Sequence, residues 1–276
     1  MRTRLLIIIL IIIVAVLVSL AISNIKTKKI DLSKEEAQEE TETVNLSEIL
    51  NQAVKLENQG NLLEARSLYK KLVRDLSNSP QVGKWQEKIW DLNIKLLFSP
   101  TITPGSILYE IKPGDSLVKI AKKFNTTVEL IKKSNALTTD TIIAGRKLKV
   151  WTKPFSIVVD KSQNILILKS NDEVFKTYVV STGKNNSTPV GTFKIVNKLV
   201  NPTWYKTGAV VPPESPDNIL GSRWMGFNLG RYGIHGTTEP QTLGQQITQG
   251  CIRMSNSDVE ELFSIMPVGA EVTIVD

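Results

Sequence analysis

The spacing of apolar positions changes along the chain, and each change predicts a different element. Residues 5–22 (LLIIILIIIVAVLVSLAI) form an unbroken uncharged run. As a helix it would be roughly 27 Å long, about the thickness of a bilayer's hydrocarbon core. Arg2 and Arg4 precede the run, and Lys26, Lys28 and Lys29 follow it, so the flanking charge is nearly balanced. A short tail ahead of a first apolar segment favours an N-inside, single-pass transmembrane anchor over 1–25, with the rest of the chain on the outer side of a cell membrane. Cleaved secretion is the alternative, since Ser19 and Ala21 make a small-x-small site. Residues 26–45 are polar and acidic and read as a linker.

From 46 to 98 the apolar residues recur at helical spacing. Leu46, Ile49, Leu50, Ala53, Val54 and Leu56 predict one helix, and Leu62, Ala65, Leu68, Tyr69, Leu72 and Leu76 a second. Gly60 and Asn61 mark the turn between them, and Trp85, Ile89, Leu92 and Leu96 predict a third helix after Pro80. The run Gly60, Ala65, Tyr69 resembles one tetratricopeptide repeat, and one repeat cannot bury both its faces. The segment is expected to be a helical spacer, either a stalk or a docking element for a protein partner.

A proline-rich break (FSPTITPG, residues 98–105) introduces a short mixed segment over 106–151. Ile107, Tyr109 and Ile111 alternate as a strand, and Pro113-Gly114 turns the chain. Asp115 or Ser116 can cap a helix carrying Leu117, Val118, Ile120, Ala121 and Phe124. Thr126 or Thr127 can cap a second, and Leu148 and Val150 return as a strand. This stretch resembles a LysM module, a small α+β (βααβ) fold that binds N-acetylglucosamine-containing glycans. The resemblance places sugar binding on Gly114, Asp115, Ser116 and Leu117 and on the loop from Thr139 to Ala144. The competing reading is that Gly114 to Ser116 only build a turn and a cap.

Beyond 152 short β-rich runs dominate: Ile157 to Val159, Ile165 to Leu168 and Thr177 to Val180, separated by Asn, Asp, Ser and Gly. SNSDVEELFSIM (255–266) is the one clear helix, capped by Ser255 or Ser257, and Val272 to Val275 supply a last strand. The region from 154 to 276 is therefore expected to be a mainly-β domain.

Composition adds little to this outline. Hydrophobic residues make up 41% of the chain and allow sizeable cores, and the formal net charge of +7 favours anionic surfaces. No nucleic-acid motif or long basic run is present, so nucleic acid is not expected as a partner.

Candidate chemistry concentrates in IHGTTEPQTLGQQITQGCIRMSN (234–256), which holds His235 and Cys251, the only histidine and the only cysteine. A thiol becomes a nucleophile only as the thiolate, and imidazole is the base best matched to that task near neutral pH. Gly250 leaves the backbone bare before the thiol, where N–H groups of Gly250 and Cys251 could hold an oxyanion. Arg253 would share a face with Cys251 in an extended segment and could bind a carboxylate, its competing role being a structural salt bridge. Thr248 is expected to bond backbone near the nucleophile, with substrate contact as its other role. One cysteine rules out an intrachain disulfide, and one histidine with one cysteine makes no usual zinc site, so no metal or cofactor is expected.

HGT, a spacer and T-x-GCIRM together resemble the signature of the YkuD-type L,D-transpeptidases, and STGKNNSTPVGTFKI (181–195), NPTWY (201–205) and NILGSRWMGF (218–227) fit the same pattern upstream. Two departures stand out: Thr248 where serine is commoner, and Gln249 where many members carry a second histidine. The resemblance implies a peptidoglycan cross-linking enzyme acting on stem peptides through a cysteinyl thioester. In it the Gly236 carbonyl orients the His235 ring, and the LysM module holds wall glycan. An L,D-carboxypeptidase, a sortase-like acyl transferase and a non-catalytic glycan-binding envelope protein are the alternatives. A papain-like protease is disfavoured because its cysteine precedes its histidine. A sortase is disfavoured because its histidine usually lies far upstream of its cysteine.

Overall fold

The computed structural model describes residues 23, 24, 28 and 46–276 apart from residue 207. The expected membrane anchor over 5–22 and most of the acidic linker lie outside the described residues. Among the described residues no helix is long and apolar enough to cross a membrane.

The chain divides into two units, Met1–Val82 and Gly83–Asp276. In the first, a helix over 46–58 (α1) meets a turn at Gly60, whose φ of +79° suits glycine, and continues into α2 (Leu62–Asp75). Ala53, Ala65, Tyr69 and Leu72 are buried, as the 3.6-residue period requires.

The second unit begins with α3 (Val82–Leu97), followed by the βααβ module: β1 (Ser106–Glu110), α4 (Leu117–Phe124), α5 (Val128–Ser134) and β2 (Lys147–Trp151). β1 and β2 pair antiparallel from Ser106↔Trp151 to Glu110↔Lys147. Ser116 Oγ accepts from the Lys119 N–H and Thr127 Oγ1 from the Leu130 N–H, so each short helix starts on a hydroxyl cap. Tyr109, Ile111, Leu117, Ile120, Ile131, Leu148 and Val150 form a local core.

The region beyond 152 contains twelve further strands. Eight of the chain's strands form one sheet in the order β13-β11-β10-β7-β14-β3-β4-β5. These are β3 (Phe155–Asp160), β4 (Ile165–Ser170), β5 (Glu173–Val179), β7 (Gly191–Val200), β10 (Arg223–Phe227), β11 (Gly233–His235), β13 (Ile252–Arg253) and β14 (Glu271–Val275). Within this sheet only β14–β3 and β11–β13 pair parallel. Phe155, Ile157 and Val159 on β3, Leu166 and Leu168 on β4, and Val272 and Ile274 on β14 are buried in alternation. They face Val259, Leu262 and Ile265 of α6 (Asn256–Ile265), the helix that Ser255 caps. Two small ribbons flank the sheet: β6 (Thr182–Gly183) with β12 (Gln246–Thr248), and β8 (Trp204–Lys206) with β9 (Ala209–Val211).

One expected boundary is corrected. The sequence groups all of 46–98 as one spacer, yet α3 is part of the second unit. Ile94 and Leu97 join the main core together with Leu130 and Trp151 of the βααβ module and Phe155 of β3. Asn93 Nδ2 donates to the Phe175 carbonyl over 2.8 Å. At the C-terminal end of α3, Lys149 Nζ donates to the carbonyls of Leu96 (2.6 Å) and Ser99 (2.7 Å), placing a cation on the negative end of the helix dipole. Thr127 Oγ1 donates to the Ser264 carbonyl near the end of α6. The physical reason is that α3 is apolar on more than the predicted stripe, since Ile94 and Leu97 are buried beside it.

Candidate active site

His235 ends β11, a strand flanked by β10 and β13, and is 3% exposed. Its Nδ1 lies 2.7 Å from the Gly236 carbonyl. A carbonyl can only accept, so Nδ1 carries the proton and the neutral ring keeps its lone pair on Nε2, the tautomer a general base needs. Trp224, paired with His235 across the strands, stacks on the ring at 6.0 Å and 18°. The Trp224 Nε1–H is held 3.1 Å from Asn197 Oδ1. The Gly236 carbonyl is thus the hydrogen-bond partner of the ring nitrogen that points away from Nε2.

The segment after His235 is fixed by a residue the sequence reading treated only as part of a helix start. Asn256 Oδ1 accepts from the N–H groups of Thr237 (3.1 Å) and Ser222 (3.2 Å), while its Nδ2 donates to the Thr237 carbonyl (2.9 Å). A Cβ on Gly236 would stand 2.2 Å from that oxygen. Glycine is therefore required at 236 by close approach. The asparagine side chain just past the GCIRM run was the available signal, but a capping segment rich in Ser and Asn hid it.

Cys251 sits in the turn between β12 and β13 and is half-buried. Thr248 builds that turn: its hydroxyl donates to the Cys251 carbonyl (2.6 Å) and accepts the Gly250 N–H (3.1 Å). Gly250 has φ +118°, and a Cβ there would fall 2.6 Å from the Tyr232 ring. One expectation is corrected by these contacts: the Gly250 N–H, expected to hold an oxyanion, is already bonded to Thr248. The Thr248 hydroxyl is spent on backbone, the first of the two roles its position suggests, and not on a substrate.

The thiol's hydrogen bond runs to the Arg231 carbonyl, with Sγ 3.6 Å away, and not to the imidazole. Burial pushes the Cys251 thiol up, against the opposing pull of the Gly233 N–H and the charges of Arg231 and Arg253. Burial likewise holds His235 down to about 4, outweighing its bond to Gly236, and Arg253 adds to the depression. Burial thus disfavours the charged form of each group, and with it the ion pair among the two resting states open to a Cys–His pair.

Cys251 and His235 open on one cavity of about 670 Å³ whose walls include Trp204, Tyr205, Trp224, Arg231, Tyr232 and Arg253. Trp204 and Tyr205 of the NPTWY segment and Trp224 of SRWMGF therefore line the cleft. Arg253 is 6% exposed, with Nη1 2.9 Å from Glu239 Oε2 and 2.8 Å from Thr242 Oγ1. That is the structural salt bridge the sequence left open as its competing role. Among the described residues no cluster of three or more His, Cys, Asp or Glu side chains is placed to hold a metal ion.

In the βααβ module, Gly114 takes φ +84° in the turn, Asp115 Oδ2 accepts from the Tyr109 hydroxyl (2.9 Å) and the Lys112 N–H (2.8 Å), and Ser116 caps α4. Leu117, expected at the sugar surface, is instead a core side chain at 2% exposure, because the first helical position after the cap faces inward. Residues 139–141, 143 and 144 are exposed.

Comparison with known proteins assigns both segments. A family model described as the L,D-transpeptidase catalytic domain matches residues 154–274, and a LysM domain model matches 109–151. The protein named L,D-transpeptidase YkuD of Bacillus subtilis is 34% identical over 175 residues, covering 61% of this chain and 98% of its own length. The Bacillus subtilis protein named L,D-transpeptidase YqjB is 41% identical over 126 residues, 44% of this chain and 70% of the relative. YbiS of Escherichia coli K12, also named as an L,D-transpeptidase, is 34% identical over 104 residues, a third of each chain. With a mainly-β domain that sets a lone thiol and an oriented imidazole on one cavity, behind a LysM module, the chain belongs to the YkuD-type L,D-transpeptidase family.

Proposed function

We propose that this protein is a peptidoglycan L,D-transpeptidase that joins stem peptides through a Cys251 thioester. The observation that carries the reading is the shared cavity: the chain's one thiol and its one imidazole, the latter held in the base tautomer by Gly236, border the same 670 Å³ space.

Catalysis begins from the neutral pair. The thiol leaves the Arg231 carbonyl, turns toward Nε2 and gives up its proton as sulfur attacks the carbonyl carbon between the L-centre of a diamino acid and a terminal D-alanine. The carbonyl oxygen gains charge as the S–C bond forms. With the Gly250 N–H engaged by Thr248, the Cys251 N–H is the oxyanion donor at the nucleophile. Loss of one such donor typically costs about 3 kcal/mol in barrier. The imidazolium then protonates the departing nitrogen, the C–N bond breaks, D-alanine leaves and the thioester remains. An amine of a second stem attacks the thioester while Nε2 takes its proton, which returns to sulfur as the thiol departs. Burial of His235 favours this concerted hand-over, because a stable imidazolium would be costly in so dry a site.

The LysM module is proposed to hold wall glycan through the exposed 139–144 loop and the Gly114 turn, and the 5–22 segment to anchor the protein in the cell membrane. The test is incubation of the full chain with a defined tetrapeptide muropeptide and mass spectrometry of products and protein. Cross-linked dimer and a carbapenem adduct on Cys251 are expected, both absent in Cys251→Ala. Hydrolysis products alone would make the enzyme a carboxypeptidase, and an unmodified thiol with no product would leave only glycan binding.

A further inference from the structure

Two arginines border the cleft, and the fold uses them differently. Arg253 is buried and its Nη1 is committed to Glu239 and Thr242. Arg231 is exposed, lines the same cavity, and among the described residues has no carboxylate within ion-pair distance. Its guanidinium lies over the Tyr232 ring, 5.9 Å from the centroid. That ring in turn lies against Gly250, close enough that a single methyl there would collide with it. The stack Arg231–Tyr232–Gly250 therefore leads from a free cation to the residue before the nucleophile. The Arg231 backbone carbonyl also receives the thiol. Consistent with this placement, Arg231 comes before Arg253 among the charges that lower the thiol's proton affinity.

A transferase that releases one terminal residue has to tell a chain end from a chain interior. The chemical mark of the end is a free carboxylate one residue beyond the scissile carbonyl, and a guanidinium fork matches a carboxylate in bidentate fashion. We propose that Arg231, and not Arg253, binds the terminal carboxylate of the donor peptide and so confines the enzyme to chain ends. This rests on the transpeptidase reading above and adds a specificity-determining residue to it. Arg253 holds the wall of the cleft by tying β13 to the segment at Glu239–Thr242.

The test is binding, measured by calorimetry on the full chain carrying Cys251→Ser, of a tetrapeptide stem as the free acid and as its C-terminal amide. The free acid is expected to bind roughly tenfold or more tightly, the scale of one charge-assisted hydrogen-bonded pair. Arg231→Gln is expected to erase that preference by weakening the acid and leaving the amide unchanged, while Arg231→Lys keeps part of it. A preference that survives Arg231→Gln overturns the proposal. So does an equal loss for both peptides, which would mean a role in holding the turn, and so does a parent protein that fails to discriminate, including one that binds neither peptide. Carbapenem acylation and turnover of the wild-type protein are scored separately. Acylation and turnover without an acid preference sink this inference alone, whereas absence of both sinks the enzymatic reading.

Discussion

The strand that carries His235 and the turn that carries Cys251 are built on opposite principles. β11 is flanked on both sides within the sheet; His235 is stacked on Trp224, bonded to Gly236 and nearly inaccessible. The Cys251 turn is half-buried and held by one hydroxyl, and its thiol rests on a neighbouring carbonyl. The contrast teaches that the ring is the fixed reference in this site and the sulfur the moving part.

That contrast can be broken at several places. The largest effect should come from His235→Asn, which can still donate to the Gly236 carbonyl but cannot take a proton; turnover should fall roughly 10²- to 10⁴-fold while retention on wall glycan persists. Residual turnover above that range would show that the ring orients and does not accept a proton. Next is acid stability. A folded-state value of about 4 for His235 against an ordinary 6.5 means the unfolded chain binds more protons between those limits. Stability should therefore drop as pH falls from 6.5 to 4, by on the order of 3 kcal/mol, and level off below. Denaturant melts should show this limb in the parent and not in His235→Asn.

On the side of the turn, Gly250→Ala places a side chain at φ +118° against Tyr232 and should slow acylation by tens of fold or more, for a conformational cost of about 2 kcal/mol. Thr248→Val keeps the shape but leaves the Gly250 N–H and Cys251 carbonyl without their partner. It should cost about 1 kcal/mol in stability and reduce turnover several-fold, whereas Thr248→Ser should behave as the parent. The smallest effect concerns the resting state. Alkylation of Cys251 by iodoacetamide should accelerate only in the alkaline range, later than for a free cysteine, since burial raises the thiol. A rate already on a plateau at pH 5 would mean a thiolate–imidazolium pair and would overturn the neutral resting state.

How much of this was readable beforehand differs by region for physical reasons. The βααβ module is made of local signals: the Pro113-Gly114 turn, the Ser116 and Thr127 caps and alternating strands all act within a few residues, and all appear where the sequence puts them. In the main sheet β3, β4, β5 and β14 were legible singly, whereas the short β10, β11 and β13 carry too few alternating positions to be seen. The strand order was not legible either, because β14 slots between β3 and β7 from the far end of the chain. At the site, His235, Gly236 and Cys251 stood out by residue type and motif. The roles of Arg231, Asn256 and Glu239 did not, since each depends on a partner brought in by folding: Tyr232 against Gly250, the backbone at 222 and 237, and Arg253. The Gly250 donor was misassigned because spacing cannot reveal that a hydroxyl two residues earlier has already claimed it.

The apolar cluster shared by Ile94, Leu97, Leu130, Trp151 and Phe155 has a practical corollary. A chain severed near residue 153, where motif boundaries invite the cut, would strip Ile94, Leu97, Leu130 and Trp151 from its core and uncover Phe155 and Phe175. The LysM and L,D-transpeptidase domains thus share one interior, and the smallest piece expected to fold begins near Gly83 rather than at the first strand of the larger domain.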